Sequence, residues 1–246
     1  MQAIGKVQSV WRFPLKSMGG EQVDEAFVSY SGLVGDRWFA LIDSERPVNR
    51  PWLTARQCPS LLTYSARYSS GSLSTEIKHP EIDAKTVEIV TPDRVTFNLG
   101  DAELIERLHS DSGRDLRIRY SDRGMVDTCP VSLVSTQTIN RLSKECELDL
   151  DPRRFRANLY IDWSESGKAF YEDELVGQKL MIGEEVILYI SKRDFRCKIL
   201  SLDPETAEEN SPVLATVGKK HDGYAGVYAA VLREGIVRPN DPVTMA

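Results

Sequence analysis

No stretch of this 246-residue chain approaches the roughly 20 consecutive apolar residues that a bilayer-spanning helix needs. Met1-Gln2-Ala3-Ile4-Gly5-Lys6-Val7 lacks an apolar core followed by a small-residue cleavage site, so no secretory signal is expected. Cysteine is sparse. Cys58, Cys129, Cys146 and Cys197 are widely scattered and form no CxxC pair and no zinc or iron–sulfur spacing. Thiols in a chain without a signal point to a reducing cytoplasm. A basic surplus is missing too: 31 Lys and Arg face 37 Asp and Glu, a net charge of −6. That balance excludes a general nucleic-acid binder, although it leaves room for a local basic pocket holding one small anion. Internal repeats, low-complexity tracts and flexible linkers are absent as well.

What is present suits a folded globular protein of one large domain or two modest ones, with 41% hydrophobic and 28% charged residues. Segments 5–11, 23–30, 38–43, 62–68 and 86–90 are short and rich in β-branched and aromatic residues, and read as strands. Gly19-Gly20, Ser31-Gly32, Pro47 and Ser69-Ser70-Gly71 punctuate them. Asp101 is expected to cap a helix running to Leu108. A second helix is expected over 136–145, where Ile139 and Leu142 fall three apart on one face. After Asn158 the pattern returns to strands and turns, including 185–190 and 228–232. The expected fold is mostly β with a few helices, in two packed parts: residues 1–120, forming a barrel-like sheet, and residues 121–246.

Cys197 is the first candidate functional residue. It follows the expected strand 185–190 and stands among Lys192, Arg193, Arg196 and Lys198. Nearby positive charge favours a thiolate, the form that attacks electrophiles and ligates soft metals. An isolated cysteine is more often a small buried hydrophobe, so the neighbourhood carries the argument.

Three further polar clusters accompany it. Lys16 and Ser17 sit at the bend of Phe13-Pro14-Leu15-Lys16-Ser17-Met18-Gly19-Gly20, and Arg37 closes Gly32-Leu33-Val34-Gly35-Asp36-Arg37. Arg153-Arg154-Phe155-Arg156-Ala157-Asn158 is read as extended, with Arg156 and Asn158 on one side. Cationic and hydroxyl donors at turns and strand ends suit a phosphate. Each cluster alone is more often a solvated, salt-bridged surface.

In order along the chain, these segments resemble the MOSC family, named after the C-terminus of molybdenum cofactor sulfurase. Phe13-Pro14-Leu15-Lys16-Ser17 is similar to the signature Tyr-Pro-Ile/Val-Lys-Ser of its N-terminal β-barrel domain, with phenylalanine replacing the tyrosine. Gly32-Leu33-Val34-Gly35-Asp36-Arg37 resembles G-L-x-x-D-R, and Thr54-Ala55-Arg56-Gln57-Cys58-Pro59 resembles T-x-R-x-x-P. Asp127-Thr128-Cys129-Pro130, Arg154-to-Asn158, Phe170-Tyr171-Glu172-Asp173, Ile182-Gly183, Arg196-Cys197, Asp203-Pro204-Glu205-Thr206 and Gly226-Val227-Tyr228 follow in family order.

The resemblance implies molybdenum cofactor (molybdopterin), a pterin dithiolene with a terminal phosphate, held in a cleft between the two β-rich parts. It also carries a family-level association with pyridoxal phosphate binding. In the amidoxime-reducing group the position matching Cys197 is a molybdenum ligand, making Cys197 the expected catalytic and metal-binding residue. Positions matching Lys16, Ser17 and Arg37 hold the phosphate end. Those matching Arg156, Asn158, Arg196 and Tyr228 contact the pterin and its surroundings, and Asp127 and Thr128 match a cofactor-lining stretch.

The implied reaction is two-electron reduction of a small N-oxygenated substrate. Some bacterial relatives carry a ferredoxin-like domain with a two-iron cluster, and this sequence shows no cysteine set for one. Electrons are therefore expected from a separate protein, ferredoxin-like or cytochrome b5-like with its reductase. No nucleic-acid or membrane partner is expected. Two other readings stay open: a sulfur carrier or transferase with a persulfide on Cys197, and a non-catalytic carrier of the cofactor.

Overall fold

The computed structural model describes residues 2–70, 73, 82–163 and 166–246. In chain order the strands are β1 (Ala3–Arg12), β2 (Glu21–Val23), β3 (Ala26–Ser29), β4 (Gly32–Leu33), β5 (Phe39–Asp43), β6 (Ser65–Tyr68), β7 (Val87–Val90) and β8 (Thr96–Asn98). They continue with β9 (Leu116–Tyr120), β10 (Val131–Ser135), β11 (Leu159–Asp162), β12 (Lys179–Ile182), β13 (Val186–Phe195), β14 (Tyr224–Arg233), β15 (Gly235–Val237) and β16 (Pro242–Met245). The α-helices are α1 (Ala102–Ser112), α2 (Thr136–Cys146), α3 (Tyr171–Glu174) and α4 (Ser211–Lys220). The protein is mostly β.

Its centre is a closed seven-stranded barrel. The strand order β11-β10-β14-β13-β12-β16-β1 closes because β1 also pairs with β11. Alternation explains these strands: Val186, Leu188 and Ile190 are buried, whereas Tyr189 between them is 37% exposed. Val7, Val10, Leu133, Leu159, Ile161, Leu180, Val227 and Val243 join them in one apolar cluster. The β10–β11 ladder is parallel and the other barrel ladders are antiparallel.

The barrel draws on both ends of the chain, which alters the expected picture. The N-terminal part was expected to make a barrel-like sheet of its own. Instead β1 belongs to a barrel whose other six strands lie after residue 130. Strand β2 extends that sheet beside β1, and β5 to β9 build smaller sheets, β5-β9 and β6-β7-β8, around a second core that includes Leu15, Met18, Trp38, Phe39, Tyr64 and Ile89. Strand β15 crosses back to pair with β3. The two halves are interlaced.

Local departures have local causes. The expected strand 23–30 breaks into β2 and β3 at Asp24-Glu25, and 62–68 begins as a 3-10 turn, Pro59–Thr63, before β6. Gly71 of the expected turn lies outside the described residues. Asp101 does precede α1, but its carboxylate accepts from Asn98 N at 2.7 Å and not from the helix. Helix α2 is capped by Ser135, whose hydroxyl accepts from Thr138 N, and it buries Ile139 and Leu142. Helix α4 is additional to the expected elements. Its Val, Thr and Gly residues lower helix propensity, while Val213 and Val217, one turn apart, are fully buried against α2 and the barrel.

Candidate functional site

The turn after β1 is held by backbone bonds, from Lys16 N to Phe39 O at 2.8 Å and from Gly19 N to Tyr64 O at 2.7 Å. Gly20 is required there, because a Cβ on it would fall 2.4 Å from Arg12 O and 2.5 Å from the Phe13 ring. The turn delivers Lys16 and Ser17 into a cleft of about 830 Å³ between the two halves. Arg37, Asp127, Thr128, Arg156, Asn158, Arg196, Cys197 and Tyr228 line the same cleft. All ten candidate residues, from six chain segments, thus face one space.

Three of them have left-handed backbones: Ser17 at φ 73°, Arg37 at 54° and Arg156 at 51°. A non-glycine residue adopts that region at a cost and persists there only where its surroundings force it, which recurs at binding sites. The extended segment expected around Arg156 is corrected accordingly. Residues Pro152–Phe155 form a 3-10 turn, and Arg156 closes it in the left-handed conformation.

The cations are clustered closely. Arg37 pairs with the buried Asp36 and donates through Nη2 to Arg156 O at 2.8 Å. Arg196 pairs with Asp194 and donates through Nη2 to Phe155 O at 2.7 Å. Consecutive carbonyls, Phe155 and Arg156, therefore receive an arginine from each half of the chain. Arg156 donates through Nη1 to Met18 O at 2.6 Å, and its enclosed Nη2 has no partner. Burial, and then the Arg37 guanidinium, hold Arg156 below the ordinary guanidinium value. The Phe13 ring lies 4.8 Å from the Arg37 guanidinium carbon and 4.4 Å from that of Arg156. These cation–π contacts need the ring and not a hydroxyl, so phenylalanine in place of the signature tyrosine keeps them.

Lys16 is buried and donates to Met125 O at 2.7 Å and to Asp127 Oδ1 at 2.6 Å. Burial pushes its amine down, and Arg37 and Arg156 add to that effect against the Asp127 carboxylate. Against its own desolvation, Asp127 is held below the usual carboxylate range by Lys16, Arg56 and Arg37. The Ser17 hydroxyl has no hydrogen-bond partner among the described residues. Asn158 is already committed: Oδ1 accepts from Ser132 N and Oγ, and Nδ2 donates to Trp11 O. Burial, and then Asp194, push the Tyr228 hydroxyl upward, so it stays protonated through neutral pH.

Cys197 lies just past β13 and opens the 3-10 turn Lys198–Ser201. It is half-buried and free. Carboxylates answer most of its cationic neighbours: Arg196 pairs with Asp194, Arg193 approaches Asp173 at 3.9 Å, and Lys198 pairs with Glu209 at 3.0 Å.

Sequence reasoning left several lining residues out of the site. Arg46, Arg50, Trp52, Arg56, Lys192 and Arg193 rim the cleft, and Asp194 sets both Arg196 and Tyr228. Ten cations and two carboxylates line the cleft of a chain whose net charge is −6. Arg46-to-Trp52 and Arg56 were legible as a basic stretch. The link from Asp194 to Tyr228 was not, because the two are 34 positions apart.

The motif Phe170-Tyr171-Glu172-Asp173 serves the fold. Glu172 is buried and accepts from Ser135 N, Ser135 Oγ and Trp163 Nε1, tying α3 to the barrel. Asp173 beside it has an enclosed Oδ1 without a partner, and desolvation, then Glu172, push its carboxyl up to about 6. A carboxyl raised above its unfolded value costs stability as pH climbs through its folded pKa. Asp173→Asn should therefore raise the melting temperature at pH 8, by about 1–2 kcal/mol or roughly 2–8 °C after discounting for solvent screening. At pH 4 the gain should vanish. Thermal melts at the two pH values check this.

One solved structure shares this architecture. The YUAD protein from Bacillus subtilis has a similar fold, with a TM-score of 0.50 at 14% identity over 97% of this chain and 93% of that one. YiiM from Escherichia coli aligns at 13% identity with a TM-score of 0.43, over 100% of this chain and 70% of that one. No curated protein matches the sequence. Residues 4–113 match the family model of the MOSC N-terminal beta barrel domain. With residues 116–244 matching that of the MOSC domain, which covers the barrel strands β10 to β14, most of β16 and the segment that carries Cys197, the chain belongs to the MOSC family.

Proposed function

We propose that this protein binds molybdenum cofactor in the cleft and reduces small N-oxygenated substrates there. MOSC domains are associated with molybdenum cofactor-binding proteins. The observation that carries the reading is the donor set: a half-buried free thiol in one cleft with a free serine hydroxyl and an enclosed guanidinium nitrogen that lacks a partner. An uncompensated buried donor is costly, and an anionic ligand removes that cost. The residues fit the group. Lys16, Ser17 and Arg37 would hold the phosphate, and Arg156, which the resemblance assigns to the pterin, would join them because it shares the Phe13 ring with Arg37; Arg196 and Tyr228 would flank the pterin, and Cys197 would supply a soft ligand. When bound, the cofactor supplies the two-electron chemistry at molybdenum.

The chain's own residues bind and orient. Asp36 and Asp194 fix the Arg37 and Arg196 guanidinia, and Asn158 locks β10 to β1 beneath the site. The Tyr228 hydroxyl holds a proton at its oxygen and donates towards Asp194. Asp127 occupies Lys16 in place of an external anion and must yield when one arrives. Overall, two electrons and two protons cleave the N–O bond and release water. The electrons come from a separate carrier.

The test is co-expression with cofactor biosynthesis, then measurement of molybdenum, pterin and iron. Near-stoichiometric molybdenum and pterin, no stoichiometric iron, and turnover of an N-hydroxylated base with an artificial donor are expected. Molybdenum without turnover would favour the carrier reading. A persulfide on Cys197 without molybdenum would favour the sulfur-transfer reading. Robust turnover with NADH and this chain alone would overturn the separate electron carrier.

A pH effect follows from Lys16. A bound dianion favours the charged amine, so binding takes up protons where the free amine has begun to lose its own. Affinity for inorganic phosphate should fall as pH rises through the lowered Lys16 value, before the roughly 10.4 of an ordinary lysine. Calorimetry in two buffers of different ionisation enthalpy, repeated up the alkaline range, should detect the proton uptake.

A further inference from the structure

A second cavity, of about 350 Å³, backs onto the cleft. Arg154, Arg156 and Ile199 line both spaces and form the wall between them. The apolar side of the second cavity comes from Trp11, Leu62, Val90, Pro92 and Leu202. Trp11 stacks beside Phe13 with ring centroids 6.4 Å apart, and its indole N–H is spent on Ser9 Oγ at 3.2 Å. It offers a ligand its ring face and not a donor.

The polar side is cationic. Arg153 is answered by Asp151 and Glu205, and Arg154 by Asp203. Arg94 stands on an exposed turn with φ 68° and has no carboxylate partner among the described residues. Arg156 is the other guanidinium without a counter-ion there, with Nη2 enclosed and unpaired. A neutral apolar ligand would leave the Arg94 and Arg156 guanidinia without a counter-ion. A bare inorganic anion would leave the indole face and the aliphatic wall unused. A volume of this size suits one or two rings.

We propose that this cavity is a second binding site, for a small planar aromatic ring carrying one carboxylate or phosphate, between Trp11 and the Arg94–Arg156 pair. It lies across the arginine wall from the cofactor cleft and does not depend on the cofactor reading. Because Arg156 lines both spaces, an anion in one competes for its guanidinium and weakens anion binding in the other.

The experiment is isothermal titration of the cofactor-free protein with benzoate, phenyl phosphate, benzyl alcohol and inorganic phosphate. One of the two aromatic anions should bind saturably, at least about tenfold more tightly than the neutral alcohol and the inorganic ion. Preference between benzoate and phenyl phosphate identifies the anionic group. Arg94→Gln, on an exposed turn, should weaken that binding at least about fivefold. Lys192→Gln, which alters only the cofactor cleft, should leave it unchanged. The proposal fails if neither aromatic anion saturates by about 10 mM, or if the alcohol binds as well. It also fails if Lys192→Gln abolishes binding while Arg94→Gln does not, because the ligand then sits in the cleft.

Discussion

Replacing Cys197 with alanine should abolish N-reductive turnover, by at least about a hundredfold per bound cofactor, while most of the pterin stays bound. The thiol sits at the mouth of a 3-10 turn, free and half-buried, and no hydrogen bond joins it to Lys16, Arg37 or Arg156. Removing one sulfur from a half-buried position should cost the fold little, so the melting temperature is a control. The readouts are bound pterin, bound molybdenum, the metal's absorption spectrum and turnover per cofactor. Loss of turnover with an altered spectrum and retained pterin assigns the thiol to the metal. Full turnover per cofactor in Cys197→Ala would return Cys197 to the status of an ordinary packing residue. Loss of pterin together with turnover would make it an anchor.

The residues of this site were legible as types in a pattern, while their connections were not. Lys16, Ser17 and Arg37 stand out because lysine, serine and arginine at glycine-punctuated bends have no packing reason to be there. Arg156 stands out for the same reason, yet its conformation was misread. The sequence Arg-Phe-Arg-Ala-Asn alternates like a strand, and the left-handed turn is held from elsewhere in the chain: Phe155 is buried, Met18 O accepts from Arg156 Nη1 and Arg37 Nη2 donates to Arg156 O. The Lys16–Asp127 pair spans 111 positions, and nothing local signals it. Strand content was readable from β-branched runs, but barrel closure was not. β1 looks like any N-terminal strand until Val7 meets Ile161 and Val10 meets Leu159. Helix α4 hid behind its β-branched residues, because its stability comes from burying Val213 and Val217 and not from propensity.

Removing two cations from the anchor cluster should have the opposite effect to Cys197→Ala. Each charged contact to a phosphate contributes about 1.5–3 kcal/mol, or roughly ten- to a hundredfold in affinity. The choice of residue matters. Arg37 is the partner of Asp36, whose side chain is 2% exposed, so its loss strands a buried carboxylate and weakens the fold as well as the site. Lys16 pairs instead with Asp127, whose side chain is 54% exposed and can turn to water. Arg156 has no carboxylate partner, and burial and Arg37 already disfavour its charge. Lys16→Met with Arg156→Gln therefore removes two phosphate donors and relieves repulsion in the empty protein. The double variant should melt no lower than the parent without cofactor, and it should lose cofactor affinity by at least about a hundredfold. Molecules that still retain cofactor should turn over at the parent rate, because neither change touches Cys197. Arg37→Lys serves as the contrast, keeping a charge beside Asp36 while giving up the bond from Nη2 to Arg156 O. Unchanged pterin occupancy in the double variant would remove the phosphate from this end of the cleft. Occupancy lost together with turnover per cofactor would mean that the anchors also set the geometry at the metal.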